Sequence, residues 1–416
     1  MRYLILIDKK FPFDAGEPFL ENEIGMYSEK VDKIIVIPID IGTDSRRTRD
    51  VPCEVDVIKT TNAKRKIYQI SLGLRSISGL FSRQSISTIT VNKYNINLKN
   101  MWFAQYYNHL CNDKIKFINS ILNNYDIRSD DEVVLYSYWL YTTATIAVGV
   151  REALEKKGIR ARVISRAHRF DIYQNSQPFK HETIEALDLL FPCSDNGTQY
   201  LKQRYLEFKD KIHTGYLGTI NHGIMHYDRV ENTFIIVSCS RVTSIKRVDK
   251  IAEALRYIDD NNMLNGYKIH WTHIGDGPCM EVLKKACKKN FTNVSVKLCG
   301  AIQNQEVYEY YNTHYADLFI NVSSSEGLPV SIMEAISYGM PVIATDVGGS
   351  SEIVIDRYNG LILNKDFSIS DLANNILFFV GLSKEKYMRY RENSRTLWAE
   401  KYNAEINYPG FIDKIF

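Results

Sequence analysis

Short apolar runs alternate along the chain with longer stretches in which apolar residues recur at helical spacing. In the first half, the runs that predict strands are residues 3–7, 33–37, 55–58, 133–136, 161–164 and 189–192. Helical spacing is seen between Tyr138 and Lys157. A β-α-β rhythm of this kind is typical of a parallel sheet that is covered by helices on both faces.

The same rhythm begins again at Thr233. Residues 234–239, 267–274, 294–298, 318–322 and 341–345 are predicted strands, and residues 247–258, 279–289, 306–313 and 330–338 are predicted helices. We therefore predict an α/β chain with two doubly wound, Rossmann-like domains. The predicted bounds are 1–225 and 226–383, with a polar linker at 222–232 and C-terminal helices over 384–416 that pack back across the domains.

Composition narrows the class of protein. The 416 residues carry a net charge of only +3, so the protein as a whole does not strongly attract nucleic acid. No apolar run is long enough to span a membrane or to act as a signal peptide. The seven cysteines are scattered and form no zinc-like pattern. These features predict a cytoplasmic protein without a structural metal.

Residues 60–100 interrupt the alternation and are predicted to be an insertion or a pair of helices. They contain no acidic residue, and their Lys and Arg residues are interleaved with Ile, Leu and Phe. One interpretation is a surface helix with a solvated basic face. The other is a surface that docks on anionic lipid, which would bring the protein to the inner face of the cell membrane. The sequence leaves both interpretations open.

The clearest candidate for chemistry follows the predicted strand 318–322, where the sequence SSSEGLP at 323–329 leads into a helix. Pro329 suits the first helical position, and Gly327 lets a ligand approach the backbone closely. Unpaired N–H groups between Gly327 and Ser331 at such a helix start bind phosphate, so Gly327 and Leu328 are candidate binding residues, and Pro329 is counted with them as part of the same turn. Glu326 and Glu334 are carboxylates that can accept hydrogen bonds from sugar hydroxyls. Either glutamate alone would be explained by the helix dipole, but together with this turn they favour a site.

Two further loops are expected at the same edge of the second sheet. Arg241 and Lys246 follow the predicted strand 234–239, where two cations can stabilise a diphosphate leaving group. A solvated basic loop is the alternative for this pair. The turn GDGP at 275–278, with Gly275 and Gly277, is a weak signal alone and gains value from its position beside the other two loops.

Taken together, these segments resemble the retaining glycosyltransferases of family 4, which have the GT-B architecture of two Rossmann-like domains facing a central cleft. The resemblance covers residues 233–363, and it includes PVIATDVGG at 341–349 and EIV at 352–354. It implies that Arg241 and Lys246 hold the donor diphosphate, that Glu326 contacts the donor sugar and that Glu334 holds the ribose. Ile302 would line the nucleobase. The implied donor is a nucleoside diphosphate sugar, with UDP favoured over GDP, and no other cofactor is implied.

The first half carries weaker signals. His168 follows the predicted strand 161–164 and stands between Arg166 and Asp171, which favours a site role over a structural one. It resembles the His-Gly-x-Asp element of the family, whose histidine contacts the donor sugar or the reaction centre, although Arg169 replaces the glycine. Gly16, in the loop after the first strand, resembles the glycines that lie next to the donor phosphates in relatives.

The resemblance implies a metal-independent hexosyltransferase that acts with retention on a saccharide or lipid-linked saccharide, in bacterial surface polysaccharide or glycoconjugate assembly. The chain contains no Asp-x-Asp sequence that could clamp a metal–diphosphate complex. Two alternatives stay open: a sugar-nucleotide epimerase of the same architecture, and a non-catalytic nucleotide-sugar-binding protein. A nicotinamide enzyme is disfavoured, because the turn after Ile7 lacks G-x-G-x-x-G.

Overall fold

The structure, a computed structural model, describes residues 1–14, 17–27, 29–60, 63–77, 97–173, 180–224, 230–288 and 291–416. The chain forms two compact units, one made of Met1–Leu217 with Glu405–Phe416 and the other of Gly218–Ala404. The limits of these units do not coincide with the bounds of 225 and 384 expected from the sequence. Gly16 lies outside the described residues, as do 61–62 and 78–96 of the basic segment.

The first unit is built on a six-stranded parallel sheet with the order β3-β2-β1-β4-β5-β6. Its strands are β1 (Arg2–Asp8), β2 (Lys33–Pro38), β3 (Val55–Val57), β4 (Glu132–Ser137), β5 (Ala161–Ala167) and β6 (Leu189–Pro192). Its helices are α1 (Pro18–Ile24), α2 (Arg65–Arg75), α3 (Leu98–Leu122), α4 (Thr142–Glu155), α5 (Arg169–Tyr173), α6 (Lys180–Ala186), α7 (Asp195–Arg204) and, at the C-terminus, α15 (Ala404–Ile415). A 3-10 helix, Leu206–Lys211, follows α7. Most positions of these strands are buried and apolar, as is typical of parallel sheets that helices cover on both faces, although β5 also carries Arg162, Ser165 and Arg166.

The second unit repeats this plan around the parallel order β12-β11-β10-β7-β8-β9. Its strands are β7 (Thr233–Cys239), β8 (Lys268–Ile274), β9 (Val294–Leu298), β10 (Leu318–Asn321), β11 (Val342–Thr345) and β12 (Gly360–Leu363). Its helices are α8 (Val248–Asp260), α9 (Met280–Cys287), α10 (Asn304–Thr313), α11 (Val330–Ser337), α12 (Ser350–Ile353), α13 (Ile369–Val380) and α14 (Lys384–Lys401). The predicted class of two doubly wound α/β units is therefore confirmed.

The sequence placed Arg247 inside a helix and Pro329 at the first helical position, and the structure differs at both residues. Helix α8 begins at Val248 because Arg247 adopts a left-handed conformation with φ of 48°. Helix α11 begins at Val330, and Pro329 precedes it with an extended ψ of 102° instead of occupying the first helical position. Strand β12 and helix α13, which complete the second unit, were not predicted.

Candidate active site

The second sheet reverses its strand order between β7 and β10, which are neighbours. Ligands in open α/β sheets bind beyond the carboxyl ends of the strands at such a switch point, because the loops there diverge and leave a crevice. The loop after β7 carries Arg241 and Lys246, and the loop after β10 carries Glu326. The sequence-predicted residues therefore flank the crevice that the topology creates.

Lys246 and Glu326 form an ion pair at the switch point. The Lys246 Nζ donates to Glu326 Oε1 at 2.6 Å, and the Asn321 amide donates to the same oxygen at 3.2 Å. The Glu326 residue is 8% exposed, whereas Arg241 on the same loop as Lys246 is exposed to solvent. The sequence placed Lys246 and Glu326 at one edge but assigned the carboxylate to sugar hydroxyls, whereas here its partner is the lysine.

Arg247 ties the two loops of the crevice together, a role that the sequence did not suggest. Its guanidinium donates to the carbonyl oxygens of Val322 at 2.8 Å and Ser323 at 3.1 Å. The Ser324 N–H also donates to the Ile245 carbonyl at 2.7 Å. These bonds fix the loop that carries Glu326 against the loop that carries Lys246.

The paired glycines after β11 let a third loop approach the Glu326 loop. Gly348 has φ of 58°, and a Cβ there would lie 2.1 Å from the Glu326 carbonyl oxygen. The Gly349 N–H donates to the Gly327 carbonyl at 2.6 Å. A side chain at Gly348 would therefore displace the backbone of the Glu326 loop.

The GDGP turn after β8 packs tightly on the Arg241 loop. A Cβ at Gly275 would lie 1.9 Å from the Ser240 carbonyl oxygen, and one at Gly277 would lie 2.3 Å from that of Val242. The Gly275 N–H donates to Gly300 at 2.8 Å, which connects this turn to the half-buried segment that holds Ile302. Both glycines thus have a packing role, and neither role requires a ligand.

The start of α11 is the third element at this edge. The first N–H that bonds within the helix is that of Ile332, which donates to the Pro329 carbonyl at 3.0 Å. The N–H groups of Val330 and Ser331 precede it, and helix geometry leaves such groups without an intrahelical acceptor. With Gly327 and the buried Leu328 they form the kind of helix start that binds phosphate.

Glu334 lies one turn further along α11 and is 6% exposed. Its Oε1 accepts a hydrogen bond from the Tyr308 hydroxyl at 2.9 Å. Burial raises the pKa of Glu334 to about 7, although the Tyr308 hydrogen bond opposes that rise. The His222 ring stacks on Tyr308 with centroids 4.2 Å apart. The carboxyl group is therefore held in place and is poised to change its charge near neutral pH.

His168 belongs to the first unit, where it follows β5. Its ring packs against Tyr138 and Trp139, with centroids 4.8 Å and 4.7 Å away. The backbone N–H of His168 donates to Asp171 Oδ2 at 3.0 Å. Burial and the Arg166 charge lower the pKa of the His168 ring to about 3. The imidazole is therefore neutral at physiological pH, which suits a hydrogen-bonding role better than proton transfer.

Two neighbours of His168 are held in place by buried carboxylates. Arg166, next but one to it, is fully buried in an ion pair with Glu23 at 3.1 Å, which makes it a structural residue. The Trp139 indole N–H donates to the buried Glu17 at 2.9 Å. Because Glu17 also accepts from the Phe11 N–H at 2.9 Å, the ring that packs on His168 is anchored to the loop after β1.

Two doubly wound units with a charged crevice at the switch point of the second define the architecture of GT-B glycosyltransferases. The lipopolysaccharide outer core galactosyltransferase WaaB in its apo form aligns over 100% of both chains with a TM-score of 0.67 and 13% identity. The Anabaena protein Alr3699/HepE in complex with UDP aligns over 100% of this chain and 99% of that chain, with a TM-score of 0.63 and 14% identity. At these identities, the likeness is one of fold.

Residues 226–397 match the family model "Glycosyl transferases group 1". The second unit therefore carries a glycosyl transferases group 1 domain. The O-antigen biosynthesis glycosyltransferase WbnH of Escherichia coli is 27% identical over 180 residues, which is 42% of this chain and 46% of that protein. The chain matches less than half of the length of this and similar curated relatives.

Proposed function

We propose that the protein is a glycosyltransferase that moves a sugar, with retention, from a nucleoside diphosphate sugar to a hydroxyl of a saccharide or lipid-linked saccharide. The observation that carries the proposal is the Lys246–Glu326 ion pair at the switch point of a glycosyl transferases group 1 domain. The O-antigen relative supports a role in surface polysaccharide or glycoconjugate assembly. The UDP complex of the HepE structure supports a UDP-sugar as the donor.

The donor would bind across the switch point. Its diphosphate would lie between Arg241, Lys246 and the start of α11, where cations and N–H groups converge on one edge of the sheet. Lys246 would then exchange Glu326 for a phosphate oxygen, which would free the carboxylate to accept hydrogen bonds from the donor sugar. Glu334 would hold the ribose, and Ile302 would border the base.

The reaction that fits these residues is a front-face displacement. The acceptor oxygen forms a bond to the anomeric carbon as the bond from that carbon to the β-phosphate oxygen breaks, and the acceptor proton passes to the departing phosphate. The negative charge that develops on the leaving group is stabilised by Arg241 and Lys246. A double displacement would instead require a carboxylate nucleophile at the anomeric carbon, whereas in this proposal the freed Glu326 accepts hydrogen bonds from the donor sugar.

The same two cations make the reaction metal-independent in this proposal. A donor diphosphate needs positive charge nearby, and Arg241, Lys246 and the helix dipole of α11 supply it. We expect a chelator to leave turnover unchanged. Activity that a chelator abolishes and a divalent ion restores would contradict this part of the proposal.

The deciding experiment is a hydrolysis and transfer screen with the intact protein and a panel of UDP-, GDP- and ADP-sugars. We expect slow release of one nucleotide from one donor, and faster release when a hydroxyl acceptor is added. Conversion of the donor to an epimer would identify an epimerase, and tight binding without turnover would identify a binding protein. Mass spectrometry of the protein during turnover should show no covalent sugar adduct, since an adduct would contradict the front-face route.

A further inference from the structure

Helix α2 presents a row of exposed apolar side chains that no element of the first unit covers in the described residues. Ile67, Ile70, Leu74 and Ile77 are 59%, 64%, 64% and 58% exposed. Spacings of three and four residues put the first three on one face of the helix, and Ile77 lies just beyond its end. We call these four residues the apolar stripe. Single exposed apolar residues are common, but a contiguous group of this kind marks an interaction surface.

The opposite face of α2 is firmly attached to α3. Leu72 is buried, the Trp102 indole N–H donates to the Gly73 carbonyl at 3.1 Å, and the Arg75 guanidinium pairs with Asp113 at 2.5 Å. The helix is therefore oriented by its packing, and the apolar stripe points away from the unit. Its exposure does not result from an unattached helix.

The charges beside the apolar stripe indicate which partner it fits. Lys64 and Lys66 are exposed at the start of α2, and the helix contains no acidic residue. An apolar face with cationic residues at its border is typical of helices that lie in the interface of an anionic bilayer. Four side chains are also few for a stable protein interface, which needs roughly 20 to 30 residues from each partner. None of the described helices is long and apolar enough to cross a membrane.

The same helix lines a cavity of about 240 Å³ in the first unit with its other face. Arg65 and Gln69 of α2 and the rings of Tyr106, Tyr141 and Phe170 border this cavity. Arg65 is held there by Asp40, whose Oδ1 accepts from Nε at 2.7 Å. Rings and paired charges of this kind suit a sugar, since apolar ring faces pack on aromatics and hydroxyls bond to charged groups.

We propose that α2 docks on an anionic bilayer through the apolar stripe and so holds the cavity beside the lipid headgroups. A saccharide attached to a membrane lipid would lie at that depth, within reach of the cavity. The choice of acceptor rests on the proposed transferase function, whereas docking itself does not. The apolar stripe then contacts lipid and not a second copy of the chain.

The test is flotation of the intact protein with vesicles of phosphatidylcholine alone and of phosphatidylcholine mixed with phosphatidylglycerol. We expect binding to the mixed vesicles that weakens as salt is added, and much weaker binding to the neutral vesicles. Ile70→Ser should reduce binding about tenfold, since it removes one large apolar side chain from the interface. Lys64→Gln combined with Lys66→Gln should reduce it about 30-fold on the mixed vesicles.

Leu206→Ser is the matched control, because Leu206 is 67% exposed on the same unit but lies outside α2. It should leave vesicle binding unchanged. Docking is refuted if the wild-type protein binds neither kind of vesicle. It is also refuted if the Leu206 variant loses as much binding as the Ile70 variant. A dimer in sedimentation that Ile70→Ser dissociates would assign the stripe to a second copy and would also refute it. UDP binding should be equal in all these proteins, and its absence from the wild type would contradict the transferase function but not docking.

Discussion

The buried carboxyl of Glu334 should make the stability of the protein fall as pH rises. Its ordinary pKa is 4.5, and burial raises the folded-state pKa to about 7. Because the folded-state pKa lies above the unfolded one, the contribution of this carboxyl to the free energy of unfolding is fully present below pH 4.5. That contribution is lost as the pH rises through 7. Since a tenfold change in a protonation equilibrium is worth about 1.4 kcal/mol, ionising this group in place costs about 3 kcal/mol.

Glu334→Gln removes the ionisation and keeps an oxygen that can accept from the Tyr308 hydroxyl. We expect the free energy of unfolding of the variant, relative to wild type, to increase by about 2 to 3 kcal/mol between pH 5 and pH 8. Urea unfolding of both proteins at the two pH values measures this difference, and the other titrating groups cancel. Tyr308→Phe should enlarge the effect, because the tyrosine hydroxyl stabilises the ionised form. An equal stability difference at pH 5 and pH 8 would refute the reasoning.

The remaining predictions concern the crevice and the first unit. Gly348→Ala should abolish transfer with little loss of secondary structure by circular dichroism, because the new Cβ would displace the Glu326 backbone 2.1 Å away. Lys246→Met should weaken UDP binding, by roughly tenfold or more for a lost charged contact. Titration calorimetry would show this, and Lys250→Met, on α8 nearby, should bind normally. For His168, whose pKa is about 3, we expect His168→Gln to lower turnover by the same factor at every pH from 6 to 9. A ratio of wild-type to variant turnover that changes with pH in this range would contradict a neutral histidine.

The sequence predicted the two sheets because buried parallel strands are continuous apolar runs that helical spacing separates. It missed β12, Gly360–Leu363, because the Asn359-Gly360 pair at its start is typical of a turn. It also placed Arg247 inside a helix. The left-handed conformation of that residue accompanies bonds to Val322 and Ser323, which lie 75 and 76 positions away. No local pattern contains such contacts, so the boundary could not be read from the sequence.

The candidate site was predictable to the level of the sheet edge and no further. Arg241, Lys246 and Glu326 follow strands, and the carboxyl ends of parallel strands meet at one edge. Which side chains touch depends on strand order, and the sequence did not give the order that makes β7 and β10 neighbours. The Lys246–Glu326 pair, 80 residues apart, is therefore a result of topology.

The Lys246–Glu326 pair explains how the crevice can keep a carboxylate where an anionic diphosphate is proposed to bind. Alone, Glu326 would repel the diphosphate, and Lys246 would be a partly buried cation without a counter-charge. Paired, they compensate each other, and because Arg247 fixes both loops through backbone carbonyls, neither loop has to move when the lysine changes partner. Donor binding would then cost one ion pair and gain another, while the released carboxylate acquires sugar hydroxyls as donors. The arrangement therefore favours a ligand that brings both a phosphate and a polyol over one that brings phosphate alone.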